Sequence, residues 1–259
     1  RNIPTNIDLS EASSGSRTFA GCYQLTMAQA KMIMDSTKNT GLYSGNMWRF
    51  FESCIGIKGQ LPEDFFANAK ALAGGNYFFT GCSEITGTLP PRLLQPCAAS
   101  LKDTGYMFSG LNITGGIPEG FFDGMVNLSD AYHMFSSTKL NGVLPDKMFK
   151  DCRGLVNAYN MFSSCSSLTG QIPTDLFNYS PKLKTVANFF SGCSSLVGEI
   201  PDTIFNLTTG GTYDDLLYVD GLFNNCSNLR GSEFPSYLFE FTPNILLVDY
   251  LFNGIPNLS

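Results

Sequence analysis

No stretch of about eighteen consecutive apolar residues occurs in the chain, so no transmembrane helix is expected. Charge is scarce: Asp, Glu, Lys and Arg make up 15% of the residues, and sixteen basic residues are scattered thinly against 22 acidic ones, for a net charge of −6. Phosphate neutralisation needs clustered Lys and Arg, so a nucleic-acid partner is excluded. There is one histidine, His133, which leaves no Ser-His-Asp or Cys-His pair except by tertiary accident. Cys-x-x-Cys and Cys-x-x-His spacings never occur, and no D-x-D-x-D-G run is present, so neither a zinc site nor a calcium loop is expected, and no cofactor. An initiator methionine is missing as well; Arg1 precedes Ile3-Pro4, which reads as the end of a repeat, and a fragment without its targeting segment is expected.

What the chain does have is phenylalanine, 22 of them, with many Gly and Ser beside them. The stretch Leu155 to Phe177 is a template for most of the rest: L-x-x-a-x-x-M/F-F-x-x-C-x-x-L-x-G-x-I/L-P-x-x-L-F, with a small or apolar. Its central aromatic recurs as Phe51, Phe79, Phe108, Phe135, Phe162, Phe190, Phe223 and Phe252, at steps of 28, 29, 27, 27, 28, 33 and 29. Seven residues before each stands Leu72, Leu101, Leu128, Leu155, Leu183, Leu216 or Ile245, with Ser44 as the exception. An apolar-Pro pair follows each of the first seven, from Leu61-Pro62 to Phe234-Pro235. The step of 33 marks an insertion at Thr208–Asp215. A fixed period of this length is the signature of a solenoid whose units stack on their neighbours.

The periodicity therefore predicts an α/β solenoid of about 28 residues per repeat: a right-handed coil of short parallel strands, with helical or 3₁₀ turns on the other side. Residues 48–259 form one continuous array, and 1–47 a divergent N-terminal repeat or cap, in which Met27, Ala30, Ile33 and Met34 place a helix over roughly 26–36. The Pro of each apolar-Pro pair suits the first residue of a helical turn, and the Gly two residues after the Leu calls for a positive φ. Phe149-Lys-Asp-Cys152 copies Phe162-Ser-Ser-Cys165 at half the period, so each coil is expected to hold two similar corners. At about 4.8 Å per coil the array spans roughly 40 Å.

The L-x-G-x-I-P-x-x-L half of the unit resembles plant-type leucine-rich repeats, and F-x-x-C-x-x-L followed by I-P resembles the BspA-type leucine-rich repeats of bacterial surface proteins, including those of gut Bacteroidetes. The likeness covers about Trp48 to Ser259. It implies a secreted or cell-surface protein, anchored to the outer membrane if bacterial, that binds a protein or glycan of a host or neighbouring cell. The Asn ladder usual in the superfamily is replaced here by Cys and Ser.

Of the eight cysteines, Cys22, Cys54, Cys82, Cys165, Cys193 and Cys226 occupy one repeat position, and Cys97 and Cys152 its half-repeat equivalent. Parallel Cβ vectors on successive coils disfavour the disulfide dihedral, so buried free thiols packing as small hydrophobes are favoured; disulfides are the alternative. The stronger functional signal lies two and three residues before each central aromatic: Trp48, Arg49, Tyr77, Tyr106, Tyr132, His133, Tyr159, Asn160 and Tyr250. Stacked along the array, these make an exposed ribbon of the residue types that dominate protein contacts. The plainer reading is that the rings merely cover the edge of the core. The favoured function is a non-catalytic, monomeric recognition module that binds a protein or glycan through this ribbon. The alternatives are a polysaccharide-active enzyme using Asp214, Asp215 or Asp220, with Asp249 nearby, and a structural spacer.

Overall fold

The computed structural model describes residues 15–36, 46–231 and 235–258. Parts of the N-terminal segment, Ser44 and Phe234 lie outside them. Parallel bridges tie each repeat to the next at one position: Asn46 to Gly74, Gly74 to Asp103, Asp103 to Asp130, Asp130 to Asn157, Asn157 to Thr185, Thr185 to Tyr218 and Tyr218 to Leu247. This unbroken series makes each repeat one rung of a solenoid. A second line of pairing follows the Leu-x-Gly corner: Gly59 to Ile85, β1 (Thr86–Thr88) to β2 (Asn112–Thr114), Gly198 to Leu229, and β3 (Arg230–Gly231) to β4 (Asn257–Leu258), all parallel.

Strands are shorter than the sequence suggests, because most of the inter-rung ladder is not extended chain. Two and three residues either side of the central aromatic the backbone alternates in hand. In the rung of Phe135, the N–H groups of Ala131, His133, Phe135 and Ser137 donate to carbonyls of the next rung at 2.8 to 3.0 Å, while those of Met134, Ser136 and Thr138 close four-residue turns within their own rung. The same pattern recurs along the array. His133 has φ 54° and Ser137 φ 59°, and the equivalent residues elsewhere, such as Tyr106 and Asn160 (both 56°) and Ser164 (63°), share this left-handed region. Each of these seven N–H groups is thereby satisfied without a strand.

The central phenylalanines, with Phe19 heading the line, form one continuous stack. Consecutive rings from Phe19 to Phe252 have centroids 5.4 to 6.4 Å apart and are within 29° of parallel. A second line, Phe149, Phe177, Phe205 and Phe239, stacks behind it at the half-repeat corner. The two lines, with the Leu and Met positions between them, make the core. In the insertion, Tyr213 turns inward and is fully buried, its hydroxyl donating to the Phe177 carbonyl at 2.5 Å.

The apolar-Pro corners form single turns rather than helices: N–H groups three residues on return to the carbonyls of Pro62, Pro90, Pro118, Pro173 and Pro201. Among the described residues only Gln95–Cys97 is a 3₁₀ helix. The predicted positive φ occurs at Gly59, Gly87, Gly170 and Gly198. The predicted helix is α1 (Met27–Ser36), which buries Ala30, Ile33 and Met34. Thr26 and Gln29 cap its start reciprocally, the Gln29 N–H donating to the Thr26 hydroxyl and the Thr26 N–H to Gln29 Oε1, which is capping-box geometry.

All eight cysteines are free, seven of them buried. The thiols of Cys54, Cys82, Cys165, Cys193 and Cys226 each donate to the carbonyl of the preceding rung's central phenylalanine at 3.0 to 3.1 Å. A ladder of S–H donors thus runs beside the phenylalanine stack. Where Thr138 replaces Cys, its hydroxyl lies 3.2 Å from Cys165 Sγ.

Candidate binding ribbon

The site is set by the backbone alternation. At Arg49, Tyr77, Tyr106 and His133 a left-handed residue two positions before a buried phenylalanine turns its side chain toward the surface of the coil, and the inter-rung hydrogen bonds hold each such side chain over the next. Tyr77 stacks on Tyr106 with centroids 4.4 Å apart and planes 10° from parallel, and Tyr106 stacks on His133 at 4.2 Å and 11°. The Arg49 guanidinium continues the column, 4.3 Å from the Tyr77 ring and 4.9 Å from Trp48; Arg17 lies 4.9 Å from the same Trp48 ring. At the other end His133 Nε2 is 3.1 Å from Asn160 Nδ2. Glu52 pairs with Arg49.

A second column stands one residue earlier. Trp48 meets Tyr77 edge-on, Tyr132 meets Tyr106 edge-on at 5.4 Å, and Tyr159 meets His133 edge-on at 5.3 Å. Tyr132 lies across Gly105, where a Cβ would come within 2.2 Å of its ring. Glycine is required there by this approach. The Asn76 amide donates to the Tyr132 hydroxyl at 3.4 Å and to Asp103. Asp103 in turn accepts the Gly105 N–H at 2.9 Å and so holds the turn beneath the ribbon.

Burial sets the electrostatics. It pushes the Tyr106 and Tyr132 phenols above their ordinary range and His133 below its own, so the ribbon is neutral along its middle at physiological pH. The Asp103 carboxyl is raised, chiefly by burial, against the pull of its Gly105 and Asn76 hydrogen bonds.

The structure brings Trp48, Arg49, Tyr77, Tyr106, Tyr132, His133 and Tyr159 into one contiguous surface. Two of the sequence-predicted residues stand differently. Asn160 is only 8% exposed and lies under the column, bonded to His133, instead of on the surface. Tyr250 is 72% exposed but separate, because the two intervening rungs place Ala187-Asn188 and Asp220-Gly221 in the ribbon positions. Sequence reasoning missed Arg17. The signal was there, since Arg17 precedes Phe19 by two residues as Arg49 precedes Phe51.

The acidic residues near the insertion divide between a turn and the regular rungs. Asp214 and Asp215 sit on an exposed turn, with Asp214 accepting the Thr212 hydroxyl. Asp220 and Asp249 occupy one position of adjacent rungs, linked by the Gly221 N–H to the Asp249 carbonyl. Among the described residues no group of three or more His, Cys, Asp or Glu is placed to hold a metal, and no helix is long and apolar enough to cross a membrane.

No protein-family model matches the chain, and no curated protein matches it. Among solved structures, it is similar to the Arabidopsis receptor kinase HAESA in complex with the peptide hormone IDA and the co-receptor SERK1, at 18% identity and a TM-score of 0.50 over 87% of this chain and 35% of that one. The leucine-rich-repeat ectodomain of HAESA with an extended IDA peptide gives 18% identity and a TM-score of 0.45, over 84% of this chain and 38% of that one. A TDR receptor gives 21% and 0.49, over 80% and 34%. The chain spans about a third of the length of these proteins. The likeness to HAESA is one of fold alone: this chain is a solenoid of stacked rungs.

Proposed function

We propose that the chain is a non-catalytic recognition module, and that the ribbon from Trp48 to Tyr159 is where it binds a protein partner. The observation that carries the reading is the geometry of the column: its ring faces are spent on one another at 4.2 to 4.4 Å, so what it offers a partner is a row of ring edges, phenol hydroxyls and guanidinium N–H groups. A sugar needs an open ring face, and the stacked column provides few. A polypeptide uses hydroxyls and apolar edges together, and Tyr, Trp and Arg dominate such contacts. The side chains sit on backbone fixed by inter-rung hydrogen bonds, so little ordering cost remains at binding. The HAESA complex with a peptide hormone is in keeping with such a role for a coil of this type. A right-handed coil is the expected hand for parallel crossovers, and the F-x-x-C-x-x-L unit points toward secreted or cell-surface proteins of the BspA type.

The test is a protein and glycan array probed with the wild type and the Tyr132→Ala/Tyr159→Ala pair, with circular dichroism to confirm folding. Protein ligands captured by the wild type and lost from the folded pair are expected. Capture unchanged in the pair would overturn the assignment of the ribbon, and turnover of a polysaccharide abolished by Asp214→Asn would replace it with the enzymatic alternative.

A further inference from the structure

Building on the ribbon as a protein-binding surface, we infer that its head, formed by Arg17, Trp48 and Arg49, is a subsite for the carboxylate of an Asp or Glu side chain in an extended peptide. Both guanidinium groups lie 4.9 Å from the Trp48 ring. Arg49 is half-buried and already paired with Glu52, whereas Arg17 is exposed, and no carboxylate pairs with it among the described residues. Counting Arg17 and Arg49 against Glu52, two positive charges against one negative, the head carries a net +1. A guanidinium held against an indole keeps its stacking while its N–H fork faces outward, the arrangement suited to bidentate capture of a carboxylate. The Arg49 Nε is buried without a partner at the same place.

The rest of the ribbon gives the ligand a direction. Further along, Asp103 and Asp130 occupy one position of adjacent rungs beneath the column, accepting the Asn76 amide and the Ser129 hydroxyl, and their charge would repel a second acid there while favouring a cation. Three rung steps separate Arg17 from the rung of Asp103, about 14 Å at 4.8 Å per step, which an extended peptide crosses in about four residues. The ligand is therefore a segment with an acidic residue and, about four residues away, a basic one, the residues between lying on the Tyr77 and Tyr106 edges.

Trp48 is the sole tryptophan of the chain, so its fluorescence reports on this subsite directly. The probes are N-acetylated, C-amidated peptides with Asp and Lys four residues apart around a Tyr, their Asp→Asn analogues, and inorganic phosphate. The Asp peptide is expected to perturb Trp48 emission with at least fivefold tighter binding than the Asn analogue, and added salt should shrink that ratio. Arg17→Gln should abolish the ratio and Arg17→Lys should restore part of it, both variants keeping the wild-type circular dichroism. Equal binding of the Asp and Asn peptides, a ratio that survives Arg17→Gln, or phosphate displacing the peptide at equal concentration would each overturn the carboxylate subsite. If array ligands are lost from the Tyr132→Ala/Tyr159→Ala pair but bind Arg17→Gln normally, this inference fails and the ribbon reading stands.

Discussion

Raising the pH should unfold the protein through its thiols. The ordinary cysteine pKa is near 8.5, and burial pushes Cys54, Cys82, Cys97 and Cys226 up to about 12; Cys152, Cys165 and Cys193 are raised by the same cause. A thiol is neutral when protonated, and the core excludes the thiolate, so the unfolded chain loses these protons first. Stability is complete below about pH 8.5 and falls as the pH climbs toward 12. Each thiol removes about 1.4 kcal/mol per pH unit once its unfolded pKa is passed, so seven together remove about 10 kcal/mol per unit. Domains have only about 5–15 kcal/mol to lose. An unfolding midpoint between about pH 9 and 10 follows, and the curve should be steep. Circular dichroism and thiolate absorbance, followed together in reductant, are expected to change in one transition. Replacing Cys82 and Cys226 by Ala should lessen the slope by about 3 kcal/mol per pH unit. Thiolate appearing near pH 8.5 while the circular dichroism stays native would refute the reasoning, because it would mean the ladder is open to water.

Phe135 sits between Phe108 at 5.6 Å and Phe162 at 5.4 Å with no exposure, so Phe135→Ala should cost about 3–5 kcal/mol in urea unfolding. Gly105→Ala would drive a methyl into Tyr132; a loss of about 1–3 kcal/mol and a shift in the aromatic circular dichroism are expected, where Gly110→Ala, with φ 73° and open space around it, should cost about 1 kcal/mol from backbone conformation alone. His133 is the only histidine, and burial lowers its pKa, so the unfolded chain takes up a proton first: its contribution to stability is present above about pH 6.5 and is lost as the pH falls. The imidazole resonance, followed by NMR, should titrate below that of a free histidine.

How much was legible in the residues differs from feature to feature. The stack from Phe51 to Phe252, the burial of the cysteines and the contiguity of Tyr77, Tyr106 and His133 all followed from spacing, because a coil of fixed length must put like positions over one another. The inward turn of Tyr213 and the isolation of Tyr250 were not visible, since the period does not say how an insertion folds or where a column breaks. Arg17 lay in plain view by its offset from Phe19.

Sequence alone determined the architecture: repetition at about 28 residues leaves an apolar face that only a neighbouring copy can cover. Tertiary structure decided the chemistry. Left-handed backbone at Tyr77, Tyr106 and their equivalents is dictated by carbonyls of the next rung, and nothing in a tyrosine prefers it. That conformation turns the rings outward and packs them face to face, and the same close approach of rungs sets each cysteine thiol against a phenylalanine carbonyl where the amino-acid order showed only a small buried side chain.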